Sequence, residues 1–154
     1  MKQFHGSNKK HSFFEGWYLK HQTAETTISF IPAFHVDSSG VSSLSIQIIT
    51  PTYNGCAYLP AEQLLVNQEH FSIQMGKNHF SDTGIAVDIQ LDDFYVQGSL
   101  TYGPLTPPDT DIMGPFRHLS FLQCNHGLLS HSHSLQGILD INGSLVDFSS
   151  GTGY

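Results

Sequence analysis

Hydrophobic and polar residues alternate with a period of two along most of this chain. Leu44, Ile46 and Ile48 alternate with Ser43, Ser45 and Gln47, and Ile85, Val87, Ile89 and Leu91 alternate with Ala86, Asp88 and Gln90. Such alternation describes strands with one buried face. The same reading predicts strands over residues 12–21, 26–36, 69–75, 94–103, 117–126, 134–141 and 144–149. Turn residues separate them: Asp37-Ser38-Ser39-Gly40, Asn54-Gly55, Gly76-Lys77-Asn78, Ser81-Asp82-Thr83-Gly84 and Asn142-Gly143. The last pair, between two apolar runs, is a two-residue hairpin signal. No long stretch keeps a 3.6-residue period, so long helices are not expected. Residues 60–65 read as one short helical turn or an edge strand. About nine short strands with tight turns predict an all-β, antiparallel barrel or half-open sandwich. A barrel of about eight strands has room for one small ligand.

The run Phe14-Glu15-Gly16-Trp17-Tyr18-Leu19-Lys20 holds the only tryptophan. In a strand, Phe13, Glu15, Trp17 and Leu19 share one face, and Phe14, Gly16, Tyr18 and Lys20 the other. A carboxylate between Phe13 and Trp17 must reach water, find a partner or hold its proton more tightly. The third outcome makes Glu15 a candidate acid in apolar surroundings.

With 154 residues, 39% hydrophobic and 12% charged, the chain fits one globular domain, 1–154. Its net charge of −7 supplies no basic stripe for phosphates, so a nucleic-acid partner is not expected. Protonating all ten histidines would carry that charge to +3, so behaviour should change under mild acid. Cys56 and Cys124 form neither a disulfide framework nor a C-x-x-C site. The start carries no apolar signal core and no segment approaches spanning length, which makes a cytoplasmic protein the expectation. Residues 103–115 carry four prolines in one long connection, a length typical of lids, binding loops or crossovers.

Two separated blocks resemble the tocopherol cyclase-like family. Phe14-Glu15-Gly16-Trp17-Tyr18-Leu19-Lys20 resembles its F-E-G-W-Y-F-K signature. Met113-Gly114-Pro115-Phe116, Cys124-Asn125-His126-Gly127, Ser130, His133-Ser134-Leu135-Gln136-Gly137 and Gly151-Thr152-Gly153-Tyr154 resemble its later stretch. Members of that family continue past the G-x-G-Y motif with a run like I-E-K-D-W-G. The resemblance therefore implies the N-terminal half of a two-domain, lipocalin-like protein, whose partner is its own C-terminal half. It also implies acid-catalysed closure of a chroman ring on a prenylated quinol, with no metal and no cofactor. A substrate of this kind implies contact with a membrane surface rather than a span. Two rival readings are a non-catalytic carrier or sensor of hydrophobic ligands, and a hydratase or isomerase acting on an isolated double bond.

Within that frame Glu15 is the candidate acid, and Trp17 and Tyr18 are candidates to flank a cation or quinol ring. Arg117 is a clamp for a ligand oxygen or a partner for Glu15. His126 and His133 are candidates to orient ring hydroxyls, and His35 to face the cavity. Each has a plainer role as packing or a rim ion pair. A zinc site from Cys124, His126, His131 and His133 would need a hairpin through 127–130 that puts each pair on one face. The spacing fits no established zinc signature.

Overall fold

A computed structural model describes residues 4–107, the backbone of 124–127, and residues 130–154. The described strands are β1 (Phe13–Trp17), β2 (Leu19–Gln22), β3 (Thr27–Val36), β4 (Ser42–Ile49), β5 (Asn54–Pro60), β6 (Leu64–Val66) and β7 (Ser72–Met75). They continue as β8 (Asn78–Ser81), β9 (Gly84–Gln90), β10 (Tyr95–Tyr102), β11 (Cys124–Gly127), β12 (His133–Ile141), β13 (Ser144–Asp147) and β14 (Thr152–Gly153). Two short 3₁₀ turns, Gly6–Asn8 and Ala61–Gln63, are the helical elements among the described residues.

The strands follow one another as an antiparallel meander, and the end of the described chain returns to its beginning. β14 pairs with β12 on one side and β2 on the other, and the Lys20 and Tyr154 backbones exchange two hydrogen bonds of 2.9 Å. The result is a nearly closed β-barrel of lipocalin-like form, the barrel of the two architectures that the alternation predicts. Its seam lies between β5, paired only to β4, and β6, paired only to β7, among the described residues. The Ala61–Gln63 turn bridges that seam, so residues 60–65 are both a helical turn and an edge strand. No helix of the described residues is long and apolar enough to cross a membrane.

The predicted strand 12–21 is two strands, and β3 explains why. β1 pairs with the second half of β3 (Glu15↔Phe34, Gly16↔Ala33) and β2 with the first (Leu19↔Phe30). Continuing the register sets Pro32 opposite Trp17, and proline has no N–H to give the ladder. The other edge changes partner at the same place. β11 runs parallel to β1, with Gly16 opposite His126, whereas β14 runs antiparallel to β2.

One turn differs from the reading of the sequence and one matches it. Asn54-Gly55 opens β5, and the turn lies one step earlier, closed by the Thr50 N–H to the Tyr53 carbonyl at 2.8 Å. Asn142-Gly143 is the expected hairpin. Both residues have positive φ (52° and 90°), and the Asp140 carboxylate accepts from the Gly143 N–H at 2.9 Å.

Inward-facing residues fill the barrel. Phe30, Phe80, Phe148, Met75, Leu44 and Leu139 have no exposed surface. Each such side chain contributes roughly 1.5–3 kcal/mol by leaving water. Gly98 and Gly137, with φ of +139° and +131°, let β10 and β12 approach where a Cβ would strike the facing backbone.

Candidate functional site

The parity of β1 and β2 sends Phe13, Glu15, Trp17, Leu19 and His21 to the inner face, and all five are buried. Glu15 is 2% exposed. Its Oε2 accepts from the His5 N–H at 2.8 Å, and its Oε1 lies 2.8 Å from His5 Nδ1. The carboxylate is therefore inside the barrel wall while the imidazole bound to it is half-exposed. Such a pair links a buried oxygen to solvent through one ring.

The segment before β1 brings this about. Phe4 is buried against Trp17 (ring centroids 6.2 Å apart) and meets Phe34 edge-on at 5.3 Å. Trp17 also packs on Phe71 at 6.0 Å. Phe4 thus sits in an aromatic cage of Trp17 and Phe34 beside Glu15, and Phe71 of the β6–β7 connection packs against the indole. Farther along, the Lys9 ammonium sits 4.8 Å from the centre of the Phe13 ring.

The other candidates lie elsewhere. Tyr18 is on the outer surface, 41% exposed, its Oη 3.2 Å from Ser29 Oγ and its ring edge-on to Tyr154. With Lys20, Gln22 and His131 it borders an open cleft of about 370 Å³. It does not share a cavity wall with Trp17. His35 is also outward, its Nε2 2.7 Å from Ser45 Oγ and its ring against Phe14. Burial lowers its pKa. Arg117 and most of the proline-rich connection lie outside the described residues, and of His126 only the backbone position opposite Gly16 is described.

His133 points inward and is 6% exposed. Its ring packs on Tyr102, tilted at 45° with centroids 4.3 Å apart, and the Tyr102 hydroxyl lies 2.6 Å from His21 Nε2. Burial lowers the His21 pKa to about 3, opposed by the Ile28 carbonyl and reinforced by neighbouring His133. Burial likewise lowers the His133 pKa and raises that of the Tyr102 hydroxyl. His21 and Tyr102 were not among the expected site residues. The signal for His21 was present, because it has the parity of Glu15 and Trp17. Tyr102 carries no such mark.

Among the described residues β11 and β12 do not pair as the zinc hairpin requires. β11 joins the sheet beside β1 and β12 between β10 and β14, while His131 is exposed and His133 buried. Among the described residues no group of three or more His, Cys, Asp or Glu is placed to hold a metal.

Set against protein-family models, curated proteins and solved structures, the chain matches none.

Proposed function

We propose that the inner face beside Glu15 binds a prenylated quinol or related isoprenoid. In this reading Glu15 is the acid for ring closure, as in tocopherol cyclase-like proteins, and the chain works with a second, C-terminal half. The observation that carries this reading is a buried carboxylate beside an aromatic cage that already accepts a phenyl ring, that of Phe4. A ligand ring or prenyl unit enters by taking the place of Phe4. Glu15 then adds its proton to the less substituted carbon of the prenyl double bond, leaving a tertiary cation. The phenol oxygen attacks that cation and loses its proton, which returns to Glu15, so the net change is an isomerisation. Trp17 and Phe34 offer ring faces to the cation. His5, bonded to Glu15 and reaching solvent, restores the proton if it escapes. The free Cys56 thiol suits a reducing, cytoplasmic setting, and delivery of such a substrate calls for contact with a membrane surface.

The test is turnover of a prenylated hydroquinone, read as chromanol by mass spectrometry. Glu15→Gln should lower the rate by about 10²-fold or more while leaving binding within a few-fold. Unchanged turnover removes Glu15 from the mechanism. The carrier reading uses the same Phe4 position, with binding and no proton transfer; deeper in the core Phe30 packs on Phe80 at 6.1 Å. Tight binding with no chromanol from the wild-type chain joined to its C-terminal half would select the carrier.

A further inference from the structure

At the other end of the same inner face, His21, Tyr102 and His133 form a polar cluster in apolar surroundings. Register explains how they meet. His21 pairs with Gly153, Gly153 with His133, and Tyr102 with Leu135, two residues from His133, so His21, Tyr102 and His133 project to one side of the sheet. Gly153 has no side chain, and the His133 ring lies where its Cβ would stand. Phe30 closes on His21 with centroids 5.8 Å apart, and Leu135, the partner of Tyr102 in the ladder, has no exposed surface.

Three ring nitrogens in this cluster, His21 Nδ1 and both nitrogens of His133, are buried without a hydrogen-bond partner among the described residues. No other buried side-chain nitrogen or oxygen there lacks one. Leaving such a group unpaired keeps its full desolvation penalty. In a neutral imidazole one nitrogen donates and the other accepts. His133 therefore needs both an acceptor and a donor, whereas His21 has the Tyr102 hydroxyl and, outside strict hydrogen-bond geometry, the Ile28 carbonyl. An ion brought here would itself have to leave water, at far greater cost than a neutral group. A neutral group that gives and takes hydrogen bonds at once is a hydroxyl.

We propose that His21, Tyr102 and His133 form a binding site for the hydroxyl group of an otherwise apolar alcohol or phenol, separate from the Glu15 site. The ladder partners of Glu15 and His21, Phe34 and Ile28, are six residues apart on the single strand β3, about 20 Å. A hydroxyl held here is out of reach of a double bond at Glu15, so the cluster is an anchor and not part of the ring closure.

The test compares 4-propylphenol with propylbenzene, which has nearly the same shape and no hydroxyl, on the full chain. Calorimetry should give at least a tenfold preference for the phenol. The phenol should also shift the ¹⁵N resonances of the His21 and His133 rings in the wild-type protein. The preference should vanish in His133→Phe, with His21→Phe as a second variant should the first fail to fold, and persist in Glu15→Gln. Equal affinity for the two probes overturns the proposal. So does a preference that survives both histidine variants or disappears in Glu15→Gln, since the phenol would then sit elsewhere. A crystal structure with the probe, showing one ordered water in the cluster and no phenol, overturns it as well.

Discussion

Gly153 and His133 illustrate how far single residues could be read. Parity puts Glu15 and Trp17 on one face of their strand, and in the barrel that face is the buried one, because a period of two leaves no freedom once one face is buried. Tyr18 was assigned to the opposite face by the same argument. His35 was not, because its neighbours Phe34 and Val36 are apolar while its own face also carries Ala33, which is buried. Gly153 stands in the G-x-G-Y motif, but the reason for a glycine there is not in the sequence: a ring from another strand occupies its Cβ position. Alanine fits the backbone of a strand, so the cost of Gly153→Ala is steric. It should lower stability by about 1–3 kcal/mol in urea unfolding, because overpacking moves a ring that has nowhere to go. In a His133→Ala background the same substitution should cost almost nothing. A penalty equal in both backgrounds would mean that the contact does not govern the position.

At the scale of elements, strands with strict alternation were legible and those set by pairing were not. β3, β4, β9, β10 and β12 match their periodic runs within a residue or two. β14 is only two residues long and has no pattern to read, yet it joins β2 to β12. Pro32 was visible in the sequence, but its effect on the opposing strand depends on register, which propensity does not encode. The segment before β1 is another element that pairing cannot reveal. It is held by Phe4 in the aromatic cage and by His5 on Glu15. Phe4→Ala should cost about 3–5 kcal/mol if the cage stays empty, and less if it collapses. Because Trp17 is the only tryptophan, the outcome can be read directly. Its emission should shift to the red and acrylamide quenching should rise several-fold. Unchanged quenching would show that the segment does not cover the indole.

For the whole molecule, the ten histidines made acid sensitivity legible, but not its cause. The sequence suggests a change of net charge, whereas the barrel adds a specific term. His21 titrates near 3 in the folded chain because burial disfavours its charged form, and near 6.5 once unfolded. Between those values the unfolded chain binds the extra proton. Stability is therefore full above pH 6.5 and falls as pH drops toward 3, at roughly 1.4 kcal/mol per unit for this one group. His35 and His133 are displaced in the same direction and steepen the loss. Asp37 and Asp147, whose pKa values are lowered by hydrogen bonds from Ser39 and Ser149, act only below the ordinary carboxylate range. Urea midpoints measured from pH 7.5 to 4.5 should therefore fall steadily, beginning near 6.5 rather than near 4. His21→Phe removes the buried ring nitrogens and should flatten that slope by about one proton's worth. A slope unaltered in His21→Phe would assign the acid response to surface charge instead.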